Sequence, residues 1–272
     1  MTNDALGSVV SIWRYPVKSM MGEELNATEV TERGVLGDRS HALVDVETGK
    51  IASAKNPRKW PGLFNFRAIY AEPPRRGHDL PPVLVTLPGG KTIRSDDPGV
   101  HAVLSSELGR EVILKAVAPE APSLEEYWPD VDGLAHRDEV TEEGMPPSTF
   151  FDLAHVHVLT TATIDQLRAL NPEARFEARR FRPNLVVQPS ASGEGFLENG
   201  WIGHSLTING ARLKVSGPCP RCVMTTLQQG DLPRDVGILR TAAQHNAANV
   251  GVYAYVERRG EVRRGDLVSL DS

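Results

Sequence analysis

The residues best suited to chemistry in this 272-residue chain lie in one short segment that contains both of its cysteines, Cys219 and Cys222. The segment 217–226 reads GPCPRCVMTT, so it combines two thiols, a guanidinium and two hydroxyls. A C-x-x-C spacing is typical of a redox-active dithiol or of half a zinc site. It is also compatible with two thiols that only pack beside a proline turn.

Neither chemical interpretation is complete on this segment alone. A structural zinc site takes four ligands, and the sequence supplies no second cysteine pair. The dithiol interpretation lacks the βαβ context and the helical start that lower the pKa of the nucleophile in thioredoxin-like folds. The segment by itself therefore does not decide between chemistry and packing.

A metal that needs only one protein thiolate changes this balance, provided that an organic cofactor supplies its other ligands. Molybdenum on a pterin dithiolene is such a case, and its phosphate and pterin call for cationic and polar donors from several loops. The sequence offers donors of this type at scattered positions: Lys18, Ser19, Arg39, Arg180, Arg182 and Asn184. Each alone is typical of an ordinary surface residue, and only their combination indicates a cofactor site.

Short strands joined by turns are predicted to position these residues. Glycine (24 residues) and proline (20 residues) are frequent, whereas stretches with helical periodicity are few. A helix is expected over 100–108, and Asn209-Gly210 predicts a hairpin. The stretches 250–256 and 261–270 are expected to close the chain as another hairpin.

A change of composition divides the chain into three predicted parts. Residues 1–117 form a β-rich N-terminal module, and residues 148–272 form a second β-rich domain. Between them, residues 118–147 are acidic and contain several prolines, so we expect an irregular connection there.

Charge and composition exclude several classes of function. A net charge of −5 gives no field that would attract nucleic acid to the whole surface. No stretch approaches the roughly 18 apolar residues of a membrane span, and the first residues do not resemble a secretory signal. Two cysteines are too few for a secreted disulfide scaffold of this size. We therefore expect a cytoplasmic protein with neither nucleic-acid nor membrane partners.

Five short motifs resemble those of the MOSC-domain family, and they occur in the family's order. They are Tyr15-Pro16-Val17-Lys18-Ser19, Gly37-Asp38-Arg39, Arg180-Phe181-Arg182-Pro183-Asn184, Arg221-Cys222 with Thr225-Thr226, and Gly265-Asp266. The match covers nearly the whole chain. By these motifs the chain resembles the amidoxime-reducing component and its bacterial counterparts. The resemblance implies a β-rich α+β fold, in which a MOSC β-barrel domain packs with an N-terminal β-barrel-like module.

The resemblance also implies a site. Cys222 matches the catalytic metal ligand of a molybdenum cofactor (molybdopterin), and Arg58 resembles a basic residue near the substrate mouth. Cys219 would be a neighbour that shapes the loop. The positions implied to bind the cofactor are Lys18, Ser19, Arg39, Arg180, Arg182, Asn184, Arg221, Thr225 and Tyr253.

The function implied is that of a molybdenum-dependent oxidoreductase that reduces small N-hydroxylated or N-oxide compounds. The sequence shows neither the ferredoxin-like domain of some bacterial relatives nor the N-terminal anchor of the mitochondrial ones. Electrons are therefore expected from a separate flavin or iron–sulfur reductase. A non-catalytic protein that carries the cofactor, or its sulfurated form, is the alternative.

Overall fold

A computed structural model describes residues 5–190, 193 and 195–271. The described strands are β1 (Gly7–Arg14), β2 (Glu23–Leu25), β3 (Ala27–Thr31), β4 (Gly34–Val35), β5 (Ala42–Asp45), β6 (Arg67–Tyr70), β7 (Val83–Thr86), β8 (Thr92–Arg94), β9 (Val112–Lys115), β10 (Ser123–Trp128), β11 (Glu139–Gly144), β12 (Val156–Thr160), β13 (Leu185–Pro189), β14 (Ser205–Ile208), β15 (Ala211–Pro220), β16 (Asn249–Arg258), β17 (Gly260–Arg263) and β18 (Leu267–Asp271). The described α-helices are α1 (Val100–Leu108), α2 (Thr161–Leu170), α3 (Ala178–Phe181) and α4 (Gly237–Asn246).

The largest sheet has eight described strands, and seven of them close into a barrel. The barrel strands follow the order β13, β12, β16, β15, β14, β18 and β1, and β1 pairs with β13 on one side and with the outer strand β2 on the other. Aliphatic side chains that alternate along the strands fill the interior, among them Val9, Ile12, Val158, Leu213 and Val252. This barrel, with the four helices of the described residues, confirms the predicted β-rich α+β fold class.

The first strand of the chain completes this barrel. β1 buries Val9 and Ile12 and shifts register between Val9 and Ser11, where it passes along β13. It also meets β18 at Gly7 and Ser8. The division at 118–147 stays a prediction about domains, since the barrel draws strands from both sides of it.

The N-terminal half also has a core of its own. The sheets β6–β7–β8 and β5–β9, together with α1, surround a cluster that includes Phe64, Phe66 and Leu104. Met224 belongs to the same cluster, and Cys222 packs against it. The cysteine segment therefore lies where the N-terminal core meets the barrel.

The acidic segment 118–147 is not irregular as expected, because it contains the antiparallel hairpin of β10 and β11. The two strands form six consecutive register pairs. Leu124 is buried beneath the hairpin, while Lys50 and Lys59 form ion pairs with Glu125. Leu124 packs in an apolar cluster, but the next two residues of the strand, Glu125 and Glu126, are paired by lysines, so its sequence lacks the hydrophobic alternation of an ordinary strand. We call β10, β11 and the residues between them the acidic hairpin.

Two hairpin predictions have opposite outcomes. The turn at Asn209-Gly210 is confirmed: φ is 43° at Asn209 and 86° at Gly210, and β14 pairs with β15 around it. The predicted terminal hairpin is wrong, because β16 pairs with β12 and β15, whereas β17 pairs with β3 and β18 with β14. The segment after β16 leaves the barrel to join β3 in a separate sheet, and the chain re-enters the barrel only at β18. Within the described ranges no helix is long and apolar enough to cross a membrane.

Candidate functional site

A cavity of about 400 Å³ opens beside the end of the barrel, and the acidic hairpin supplies part of its lining. This volume is typical of small-molecule and cofactor sites. The cavity brings together five of the predicted site residues: Arg39, Arg182, Arg221, Cys222 and Tyr253. Residues that the sequence analysis did not select also line it: Lys55, Glu126, Trp128, Asp152 and His157.

Cys222 is presented to the cavity by the turn that follows β15. Its carbonyl accepts hydrogen bonds from the backbone N–H of Thr225 (3.1 Å) and from the hydroxyl of Thr225 (3.0 Å). Thr225 therefore lies beneath the turn and stabilises it without lining the cavity. Burial raises the pKa of the Cys222 thiol to about 12, and nearby Glu126 adds to this effect. The thiol is therefore protonated at neutral pH, and a metal that binds its sulfur would displace this proton.

Arg180 holds the chain that follows Cys222 and does not reach the cavity. Its side chain is completely buried, and Nε donates to the carbonyl of Arg175 at 2.8 Å. Nη2 donates to the carbonyl of Pro233 at 2.8 Å, and Nη1 contacts the carbonyls of Thr225 and Leu227 at 3.3 Å each. These contacts occupy four of the five N–H groups of the guanidinium, so the structure gives Arg180 a supporting position.

Cys219 and Cys222 occupy different environments. Cys219 is completely buried, and Nη1 of Arg221 donates to its sulfur at 2.7 Å. Nη2 of Arg221 donates to the carbonyl of Phe181 at 2.9 Å. The remaining Nε of Arg221 is buried and has no partner among the described residues. Cys219 therefore fixes the arginine, and the free N–H leaves one donor for a ligand.

Two predicted cofactor-binding arginines share one aromatic partner. The guanidinium carbons of Arg39 and Arg182 lie 4.6 and 4.1 Å from the ring centroid of the buried Tyr15. Arg39 also pairs with Asp38, and Nη1 of Arg182 donates to the carbonyl of Met20 at 2.7 Å. Burial and the nearby Arg39 lower the pKa of Arg182 to about 10, so it stays protonated at neutral pH.

The backbone at these arginines is strained. Arg39 and Arg182 adopt φ values of 45° and 53°, and the predicted residue Ser19 adopts 63°. A side chain other than glycine in this left-handed region costs about 1 kcal/mol or more. Such strain persists only where the surroundings impose it, and it is concentrated at functional sites.

The other predicted cofactor residues lie behind the cavity wall. Lys18 donates from Nζ to Oδ1 of Asp152 at 2.8 Å, and the hydroxyl of Ser19 accepts from the backbone N–H of Ala54 at 3.0 Å. Oδ1 of Asn184 accepts from the backbone N–H of His157 at 3.0 Å. Each of the three thus positions a neighbour of the cavity rather than lining it.

Lys55, Glu126 and Asp152 form a charged cluster that sequence reasoning missed. Nζ of Lys55 lies 2.9 Å from Oε2 of Glu126 and 3.7 Å from Oδ1 of Asp152. Burial opposes the charge of Lys55, but Asp152, Cys222 and Glu126 raise its pKa above the ordinary value. Burial likewise opposes ionisation of Asp152, yet Lys18 and Lys55 hold its pKa well below the ordinary value. The three residues are far apart in the sequence, so no local pattern joins them.

Arg58 lies away from Cys222, at a second cavity of about 420 Å³. It is exposed, its guanidinium carbon lies 3.8 Å from the ring centroid of Tyr127, and Nη2 pairs with Asp138 at 2.7 Å. The structure therefore does not bring Arg58 to the mouth of the cavity that contains Cys222.

The residues around Cys222 fit a metal that arrives with its own organic ligand. The described residues contain no group of three or more His, Cys, Asp or Glu side chains that could hold a metal ion. A metal at Cys222 would thus need most of its ligands from elsewhere. Arg39, Arg182 and Arg221 supply positive charge, and the unpartnered Nε of Arg221 supplies a donor.

Comparisons with known proteins match one family over most of this chain. Residues 147–269 match the MOSC domain, and residues 6–96 match the MOSC N-terminal beta barrel domain. The mitochondrial amidoxime reducing component 2 of Rattus norvegicus is 23% identical over 291 residues, which cover 97% of this chain and 83% of that protein. The Homo sapiens protein of the same name is 24% identical over 288 residues, with the same two shares.

A shorter similarity points to another kind of protein. The molybdenum cofactor sulfurase of Bombyx mori is 33% identical over 87 residues, which cover 32% of this chain and 10% of the sulfurase.

Proposed function

The chain belongs to the MOSC-domain family, and from that premise we propose that it is a molybdenum-dependent oxidoreductase that reduces N-hydroxylated or N-oxide compounds. The observation that carries the proposal is the position of Cys222, a single cysteine at a cavity that three guanidinium groups also line. A soft thiolate suits molybdenum, and the guanidinium groups suit an anionic cofactor.

The cofactor would be held from several sides. Cys222 would ligate the metal, while Arg39, Arg182 and Arg221 would bind the anionic and heteroatom-rich parts, with Tyr253 beside them. When bound, the cofactor supplies two-electron chemistry that breaks the N–O bond of the substrate and releases its oxygen as water. The protein supplies the binding, orientation and electrostatics.

The charged cluster would handle protons. Reduction of an N-hydroxyl group to an amine and water consumes two electrons and two protons. Nζ of Lys55 stays protonated between the carboxylates of Glu126 and Asp152, close to Cys222. We assign proton supply at the substrate oxygen to this cluster, because Nζ of Lys55 brings N–H donors to the cavity and two carboxylates lie beside it.

The electrons would come from a separate donor protein in the cytoplasm. An iron–sulfur cluster normally takes four cysteine ligands, and this chain has two cysteines, one of them assigned to the metal. The purified chain should therefore not reduce an amidoxime from NADH alone.

The test is composition followed by turnover. Protein made in a host that synthesises the cofactor should carry close to one molybdenum and one pterin per chain, and it should reduce an amidoxime when a chemical reductant is supplied. Protein from a cofactor-deficient host should be folded and inactive. Cofactor-replete expression that yields no molybdenum, or stoichiometric zinc, would refute the proposal.

A second candidate is a protein that binds and hands on the cofactor without turnover. The similarity to part of a molybdenum cofactor sulfurase favours it. Such a protein would contain molybdenum and pterin yet show no steady turnover with an artificial donor, and it would release the cofactor to an acceptor apoenzyme.

A further inference from the structure

The acidic hairpin presents different faces to two cavities. Glu126 and Trp128 line the cavity that contains Cys222, whereas Tyr127 between them lines the second cavity. This alternation follows from the two-residue period of a strand. The hairpin is therefore a wall of the candidate site, and Trp128 is its large aromatic side chain.

Residues of the acidic hairpin line the cavity from the charged cluster to a solvent-exposed stretch. Glu126 contacts Lys55, whose charge acts on Cys222. Trp128 lies two residues further along the same face, about 7 Å away at the rise of an extended strand. The lining then continues through Leu134 and the exposed Ala135. Trp128 thus lines the same cavity as Cys222, next to the charged cluster on one side and to a partly exposed stretch of lining on the other.

The indole of Trp128 is held in place. Nε1 donates to the hydroxyl of Thr141 on β11 at 2.8 Å, and the ring lies 5.1 Å from the ring of His136. Beside it, Leu134 and Leu153 add apolar lining, and Leu153 is 53% exposed. A fixed aromatic ring with aliphatic neighbours at a cavity opening is suited to an apolar or aromatic ligand.

We propose that Trp128 determines substrate specificity by binding the aromatic or apolar body of the substrate, while the N-hydroxyl group reaches toward Lys55 and Cys222. The part of this inference that concerns turnover rests on the proposed function, whereas the part that concerns binding of the substrate body does not. It predicts that the protein prefers aryl compounds to small alkyl compounds that carry the same functional group.

The kinetic test compares benzamidoxime with acetamidoxime under a chemical reductant. Trp128→Ala should raise KM for benzamidoxime about tenfold and change KM for acetamidoxime less than twofold, with kcat little altered for either. Trp128→Phe keeps a ring and should stay within about threefold of the parent. An equal change for both substrates would overturn the inference.

The binding test needs no turnover, so it separates this inference from the proposed reaction. Calorimetry should show benzamidine bound about tenfold more tightly than acetamidine by the cofactor-loaded parent, and Trp128→Ala should abolish that difference. Tyr127→Ala is the matched control, because this ring faces the second cavity, and it should keep the preference. A parent without the preference, or a variant that retains it, contradicts the assignment even if the enzyme turns over.

Discussion

The two walls of the cavity are stabilised in different ways. On the side of Cys222, Arg180 and Arg182 are buried and donate to backbone carbonyls. Arg39 and Arg182 also adopt a left-handed backbone conformation. On the other side, the acidic hairpin is held partly by exposed ion pairs, such as that of Lys50 with Glu142. Buried, fully bonded groups fix a geometry, whereas exposed pairs contribute little to stability. The first wall suits a permanently bound cofactor, and the second suits exchangeable substrates.

The largest expected contrast in stability is between Arg180 and Lys50. Arg180→Met leaves several buried carbonyl groups without a donor, so the free energy of unfolding should fall by about 3 kcal/mol or more. Cofactor content should fall with it, because the turn after Cys222 loses its support. Lys50→Met, the matched control on the hairpin, should barely change the melting temperature and should keep the cofactor. Equal losses would remove the distinction between the walls.

Tyr15 tests how the two arginines are positioned. Tyr15→Leu removes the ring that both guanidinium groups contact, so we expect a loss of about 2 kcal/mol in unfolding free energy and less than half of the parent's pterin content. Tyr15→Phe keeps the ring and loses only the hydroxyl contact with the carbonyl of Pro183 at 3.3 Å. The phenylalanine variant should retain its cofactor; if it loses as much as the leucine variant, the ring is not what positions the arginines.

The pH dependence of stability probes burial at the cavity that contains Cys222. Burial and the nearby Arg221 lower the pKa of His157 to about 3, and its Nε2 lies 3.0 Å from the carbonyl oxygen of Val250. Between pH 6.5 and pH 3 the unfolded chain binds a proton at this residue that the folded chain does not, so stability falls as pH falls. At pH 5 the loss should be about 2 kcal/mol. In urea titrations, His157→Gln should lack this part of the slope, and an unchanged slope would contradict the assignment.

Local sequence signals predicted local structure well. The turn at Asn209-Gly210 and the helix over 100–108 follow from backbone preferences that act within a few residues. Pairings between distant strands could not be predicted from these local signals, because each strand alone is compatible with several partners. The joining of β1 to β13, which closes the barrel, depends on contacts across more than half of the chain.

The types of residue at the site were predicted more completely than their positions around the cavity. Motifs indicated that arginines and Cys222 serve one ligand, and the structure brings Arg39, Arg182 and Arg221 to one cavity. They did not indicate that the side chain of Arg180 points away from this cavity. Arg180 and Arg182 have the same chemical character, and only the fold decides the direction of each side chain. The acidic hairpin was missed because its charges are paired by lysines from another part of the chain.

The most direct test of the central claim is the molybdenum content of Cys222→Ser and Cys219→Ser, each made in a host that synthesises the cofactor. Serine is a harder donor with a much higher pKa than cysteine, so Cys222→Ser should lose the metal or at least 100-fold in activity. Cys219→Ser should keep molybdenum and a substantial part of the activity, because Cys219 contacts Arg221 and does not line the cavity. Parent-like metal content and activity in Cys222→Ser, or an equally metal-free Cys219→Ser, would contradict the account.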